Sequence, residues 1–227
     1  MTDAARRRSI IELTGGAIVR IAIPLFDRFT ALDAVGPYEV LKFLPDAEIV
    51  FVAEKPGPVR DVPKWLAISA DAAFADVDSC DVLLVPGGPG ARGLLQDGDL
   101  LDWIRRMHEG SVWTTSVCTG SLLLAAAGLL NGLSATTHWA AVDVLESYGA
   151  AYTPERVVFQ GKIVTAAGVS SGIDMALALA AQIADQTTAE AIQLAIEYDP
   201  QPPFDAGSPA KASQAAKDLL ARGIGRR

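Results

Sequence analysis

At 227 residues, half of them apolar and a fifth charged, the chain has enough hydrophobic surface for a full core and fits one α/β domain. Its net charge of −8 repels phosphate backbones and anionic lipid headgroups, which argues against nucleic acid and membrane surfaces as partners. The longest apolar runs, "SLLLAAAGLL" and "MALALAAQIA", fall short of the roughly 20 residues needed to cross a bilayer, and two cysteines with two histidines, without ligand spacing, give poor support for a zinc site.

In chain order, residues 1–17 carry "ARRRS", Glu12 and Gly15-Gly16 instead of an apolar signal core, and are expected to be a disordered lead-in to a domain spanning 18–210. Two cysteines outside any disulfide framework and no export signal predict free thiols in a reducing cytoplasm. "AIVRIAIPLF" (17–26) and "DVLLVPGG" (81–88) read as strands buried on both faces of a parallel sheet; "AEIVFVAEKPG" and "SVWTTSV" supply further strands. Between them lie three helical patterns: "VGPYEVLKFL" with Pro37 near its start, "LLDWIRRMHEG" stopping at Gly110, and "WAAVDVLESYGA" stopping at Gly149. "AYTPERVVFQGKIVTAAG" places Gln160-Gly161 between two β-branched runs and predicts a hairpin. "SSGIDMALALAAQIADQTT" and "AEAIQLAIEY" close the domain as helices, "DPQPPFDAGSP" is a Pro-rich strap, and residues 211–227 form a short helical tail. This alternation predicts an α/β sandwich, a mostly parallel sheet with helices on both faces.

Cys118 sits where "SVWTTSV" turns into the Ala/Leu run, with Thr119 and Gly120 behind it. A sharp strand-to-helix turn puts that side chain at the carboxyl edge of the sheet, where α/β folds bind ligands, and at a helix start whose dipole and free N–H groups favour a thiolate. The context mirrors the serine elbow of hydrolases with sulfur as the nucleophile. Cys80, in "VDSCDVLLV", has no such context and reads as packing.

Gly88-Pro89-Gly90-Ala91-Arg92-Gly93 matches the dinucleotide fingerprint, but it lies in mid-chain, Pro89 removes an amide, and no acidic residue ends a strand at the required distance. The loop's expected use is to aim the N–H groups of Gly87 and Gly88 at charge developing on a substrate held by Cys118. Asp33, in "FTALDAVGPYEVL", lies past the first strand on the same sheet edge, either as an N-cap or as the partner of the thiol; burial beside sulfur would raise its pKa and leave a pair that holds one proton and delivers it. His138 precedes a helix and reads equally as a base for Cys118 or as a cap; His108 reads as surface.

Six segments, "LDAVGPYEVL", "VLLVPGG", "SVCTGSLLLAAAGLL", "ATTHW", "SSGIDMALALAA" and "QLAIEYDPQPPFDAGSP", together resemble the DJ-1/PfpI superfamily and, within it, the isocyanide hydratase branch, from about residue 18 to 210. The resemblance implies a flavodoxin-like three-layer sandwich, usually a homodimer, with a nucleophilic cysteine at a strained elbow, a small-molecule substrate and no cofactor. It implies Cys118 as nucleophile, Asp33 as acid, and Thr119 as the residue whose hydroxyl and amide orient Asp33 and the bound intermediate. Gly88 matches the loop amide facing the sulfur. Many superfamily members carry Glu where this chain has Asp33, and "TAAGVSSG" is less glycine-rich than the corresponding hydratase stretch.

The expected reaction is hydration of an isocyanide through a thioimidate on Cys118. Its rivals are glyoxalase-type or deglycase-type attack on aldehydes, which would lean on His138, and a redox or ligand sensor built on an oxidisable thiol. A regulator fused to a helix-turn-helix module fits poorly with the acidic chain and the short stretch after "DAGSP".

Overall fold

In the computed structural model residues 18–223 are described; the expected lead-in and residues 224–227 of the expected tail lie outside them. The first half runs β1 (Val19–Pro24), α1 (Ala31–Leu41), β2 (Ala47–Ala53), β3 (Gly57–Arg60), β4 (Ala67–Ala70), β5 (Ala72–Ala73), β6 (Val82–Val85), α2 (Gly98–Gly110) and β7 (Trp113–Val117). The second half runs α3 (Gly120–Ala126), β8 (Ser134–Ala135), α4 (Val142–Ser147), β9 (Ala151–Tyr152), β10 (Val157–Gln160), β11 (Ile163–Ala166), α5 (Ser171–Ile183), α6 (Gln186–Ala195) and α7 (Gln214–Ala221).

A seven-stranded sheet has the order β10-β11-β7-β6-β1-β2-β5, parallel throughout except for β10 against β11. Both "VLLV" of β6 and "IVTA" of β11 are buried at every position, as continuous apolar strands covered on both faces require. α1 packs on α5 and α5 on α6 in one helical layer; α2 packs on α3 and α3 on α4 in the other. α2 shows how such a layer is written: Asp97 caps it by accepting from the Leu100 N–H at 3.1 Å, and Leu100, Leu101, Trp103, Ile104 and Met107 fall on one buried face. The expected three-layer sandwich is therefore present, and no helix among the described residues is long and apolar enough to cross a membrane.

Three local expectations change. Helix α1 starts at Ala31, not near Pro37, which sits inside it. The ring removes the bond that position 37 would give the Asp33 carbonyl, and burial of Ala34, Pro37, Val40 and Leu41 holds the helix together across the gap. The β10–β11 turn falls one residue later than expected, because Gln160 pairs with Ile163 and leaves Gly161-Lys162 as the loop. His108 is half-buried instead of on the surface: its Nδ1 lies 2.8 Å from Thr114 Oγ1, tying the end of α2 to β7. The small β3–β4 and β8–β9 ladders were not expected from the sequence.

Candidate active site

β1, β6 and β7 are neighbours in the sheet, and the segments that follow them carry Asp33, Gly87-Gly88 and Cys118 to the same carboxyl edge. Strand spacing alone puts the ends of β1 and β7 about 10 Å apart, with the end of β6 between them. Gly87 closes that gap. Its N–H donates to Asp33 Oδ2 at 2.9 Å and its carbonyl accepts from the Thr30 N–H at 2.8 Å, so the start of α1 is fastened to the middle strand. A Cβ at position 87 would lie 2.5 Å from the Thr119 nitrogen, which is why this position has no side chain.

Cys118 is the elbow. Its φ is +57°, a left-handed conformation that costs a non-glycine residue about 1–2 kcal/mol. The surrounding backbone holds it there: its N–H is shared between the carbonyls of Ala166 (3.1 Å) and Ala167 (2.8 Å), and its carbonyl accepts from Ser121 Oγ (3.0 Å) and Thr137 Oγ1 (3.1 Å). At a net ~0.5–1.5 kcal/mol each, these bonds offset the strain. α3 then leaves so close to β6 that a Cβ on Gly120 would meet the Val85 carbonyl oxygen at 2.1 Å.

Thiol and carboxyl act on each other. Asp33 is fully buried, its Oδ1 has no hydrogen-bond partner of its own, and the Cys118 side chain acts on the carboxyl. Burial drives the Asp33 pKa up to about 7, against the opposing pull of the Gly87 N–H and the thiol. The thiol itself departs from the sequence expectation. Burial first, and then the Asp33 charge, push Cys118 up to about 12, and the N–H groups of Thr119 and Val169 and the Thr119 hydroxyl only partly oppose them. A helix start does not outweigh desolvation here, because α3 runs for only seven residues and the sulfur is nearly enclosed. At neutral pH the resting sulfur is a thiol beside Asp33, and the pair holds one proton once the carboxyl has ionised.

The glycine amides are also placed differently from the expectation. Gly87 N–H serves Asp33, and Gly88 N–H donates to Thr119 Oγ1 at 2.8 Å, so neither points at a substrate on sulfur. Thr119 Oγ1 donates in turn to the Gly88 carbonyl at 3.1 Å; its hydroxyl therefore pins Gly88 and touches the sulfur without orienting Asp33. The amides that do face the sulfur belong to Thr119 and Val169. Val169 went unread in the sequence because nothing local marks an amide that is brought in by the loop after β11.

Cys118 is 5 % exposed and opens into a cavity of about 640 Å³, lined also by Thr30, Val62, Gly88, Arg92, His138, Trp139 and residues of α7. His138 caps the short turn at Trp139–Ala141: its Nδ1 accepts from the Ala140 N–H at 3.2 Å, which leaves the neutral ring's proton on Nε2. Burial and the nearby Arg92 charge keep that ring neutral. Cys80 is buried away from the cavity and its thiol is pushed up to about 12 by burial and Asp81, consistent with packing. Among the described residues no three His, Cys, Asp or Glu side chains gather closely enough to hold a metal ion.

An α/β sandwich with a thiol elbow at its carboxyl edge, coupled to a buried carboxyl from the next-but-one strand, is the class that fold and site define. The chain belongs to the DJ-1/PfpI family, whose family model matches residues 19–182. It is 44% identical over 200 residues to an isonitrile hydratase of Pseudomonas putida, covering 88% of this chain and 87% of that one. It is 30% identical over 184 residues to the HTH-type transcriptional regulator CdhR of Pseudomonas aeruginosa, of which it spans 53%, the match covering 80% of this chain. Among solved structures, a THiJ/PfpI family protein from Pseudomonas syringae superposes with a TM-score of 0.86 at 38% identity, covering 90% of this chain and 85% of that one.

Proposed function

We propose that the protein hydrates isocyanides, R–N≡C, to N-substituted formamides, with Cys118 as nucleophile and Asp33 as the group that moves the proton. The observation that carries this reading is the electrostatic coupling of the buried thiol to a buried aspartyl whose Oδ1 has no hydrogen-bond partner among the described residues; similarity to the P. putida hydratase over most of both chains supports it.

In the singly protonated pair, sulfur attacks the terminal carbon while its proton passes through Asp33 to that carbon, forming one C–S and one C–H bond and giving the thioimidate Cys–S–CH=N–R. Asp33, again a carboxylate, takes a proton from water as the oxygen adds to the same carbon and passes it to the nitrogen, giving Cys–S–CH(OH)–NH–R. The C–S bond then breaks as the hydroxyl proton passes through Asp33 to sulfur, a C=O bond forms, and R–NH–CHO leaves; the sum is R–NC plus one water. The N–H groups of Thr119 and Val169 stabilise sulfur as it gains charge in attack and in departure.

Incubation with phenyl isocyanide is expected to yield N-phenylformamide, and a rapid quench to show a Cys118 peptide heavier by one intact isocyanide; neither product nor adduct above the uncatalysed background would overturn the reading. A glyoxalase-type reaction would call on His138 as base, but Nδ1 is engaged and Nε2 carries the proton, so the ring is a donor. His138→Ala is accordingly expected to slow formamide production less than Asp33→Asn does.

The same reading has the protein as a homodimer in the cytoplasm. Free, unpaired Cys80 and Cys118 support a reducing compartment. Leu32 (42 % exposed) and Phe43 (48 % exposed) line an open apolar groove with Gly36, Ile173 and Ile196, a surface suited to a second copy. Light scattering is expected to return twice the 23.8 kDa chain mass, and a monomer that persists at micromolar concentration would refute the dimer.

A further inference from the structure

One wall of the cavity over Cys118 comes from α7. α7 buries none of its residues completely, yet Lys217, Leu220 and Ala221 form one wall of the cavity. Lys217 is the one residue of α7 that is not exposed. None of the ion pairs among the described residues engages its ammonium, although the helix is held by its Ser213 cap, whose hydroxyl accepts from the Ala216 N–H at 3.2 Å. A half-buried cation with no ion-pair partner among the described residues is a group suited to an anion.

The rest of the lining agrees. Arg92 stands in the same cavity, anchored by its donation to the Ala140 carbonyl at 3.0 Å, and its charge reaches the His138 ring. Among the described residues no carboxylate lines this cavity, in a chain with 27 acidic and 19 basic residues. The same cavity is lined by apolar surfaces, chiefly Leu220, Trp139 and Val62; Leu220 and Trp139 are 47 % and 45 % exposed, more than packed side chains would be. About 640 Å³ is ample for a ring-sized substituent.

We propose that α7 is the specificity wall of the site, and that the preferred substrate carries an apolar N-substituent gripped by Leu220 and Trp139 and ending in an anionic group held by Lys217 and Arg92. This rests on the isocyanide reading and adds to it the class of R group. Arg92 is anchored and supplies a fixed charge, whereas Lys217, in the middle of α7, supplies a point charge on a flexible four-carbon stem.

The test compares phenyl isocyanide with 4-isocyanobenzoate, which share the apolar stem and differ by one carboxylate. The full chain is expected to show a higher kcat/KM for the benzoate. Lys217→Glu is expected to lower that value about tenfold more than the value for phenyl isocyanide, mainly through KM. Leu220→Ala is expected to raise KM for both, and Lys55→Glu, the same charge change outside the cavity, to leave the preference between them as in the wild type. A wild-type preference for the neutral substrate, or a Lys217→Glu effect equal on both, overturns the proposal. If neither isocyanide is hydrated, alkylation decides independently: the ratio of Cys118 modification rates by iodoacetate and iodoacetamide falls several-fold in Lys217→Glu if α7 holds anions at the sulfur, and an unchanged ratio rules that out.

Discussion

Cys118→Ala is expected to form no formamide above the uncatalysed rate and to give no adduct, while keeping the fold. Both parts follow from the elbow. The backbone of residue 118 is held in its left-handed conformation by bonds from Ala166, Ala167, Ser121 and Thr137, none of which involves the sulfur, so alanine inherits the same strain and the same anchors. The lost packing is one small buried side chain, and the stability change should stay within about 1–2 kcal/mol, readable as a modest fall in denaturation midpoint at unchanged slope. Activity has no comparable reserve. Cys80, the other thiol, is buried away from the cavity, and His138 Nε2 carries a proton instead of a lone pair. Cys118→Ser sharpens the point: it keeps size and hydrogen bonding but replaces a thiol by a hydroxyl far harder to ionise in a site where burial already opposes charge, and it is expected to be inactive too. Turnover of phenyl isocyanide at wild-type rate by either variant would remove sulfur from the mechanism.

How far the sequence leads differs between fold and site for identifiable reasons. The strands could be read because β6 is a continuous apolar run, β1 is broken only by Arg20, and β10 and β11 are β-branched runs about Gly161, and α2 because its apolar residues repeat at helical spacing up to Gly110. Cys118 could be read because the seam between a β-branched run and an Ala/Leu run is local. Asp33 was legible only in part: its place past β1 is local, but its contact with sulfur depends on the order β7-β6-β1, which no single segment states. The direction of the Gly87 and Gly88 amides was misjudged for a related reason. A glycine loop after a strand offers several N–H groups, and which of them remain free is decided by competitors, here the Asp33 carboxylate and the Thr119 hydroxyl, that arrive from other strands. The thiolate expected from the dipole and free N–H groups at a helix start does not prevail, because α3 is short and the sulfur nearly enclosed, so desolvation dominates. α7 as a wall of the cavity had no sequence signal beyond an amphipathic tail.

Asp33→Asn tests the pair as a pair, because it keeps the shape of the side chain and removes its ionisation. In the wild type, kcat/KM should rise with pH through about 7, where the buried carboxyl gives up its proton and the pair reaches the singly protonated form that both attacks and protonates, and should then level off. In the variant no carboxylate takes the thiol proton and none returns it to carbon; the rate is expected to drop ~10²–10⁴-fold at neutral pH. The remaining activity should lack the inflection near 7 and climb with pH as the thiol alone ionises, from a value lowered by loss of the Asp33 charge. Stability moves the opposite way with pH. A carboxyl raised from 3.8 to about 7 by burial binds its proton more tightly folded than unfolded, so its contribution is complete below pH 3.8 and is lost as pH rises towards 7. Asp33→Asn should abolish that decline, leaving the denaturation midpoint less dependent on pH across this window than in the wild type. An inflection near 7 that survives in the variant would mean that another group, not Asp33, carries the proton.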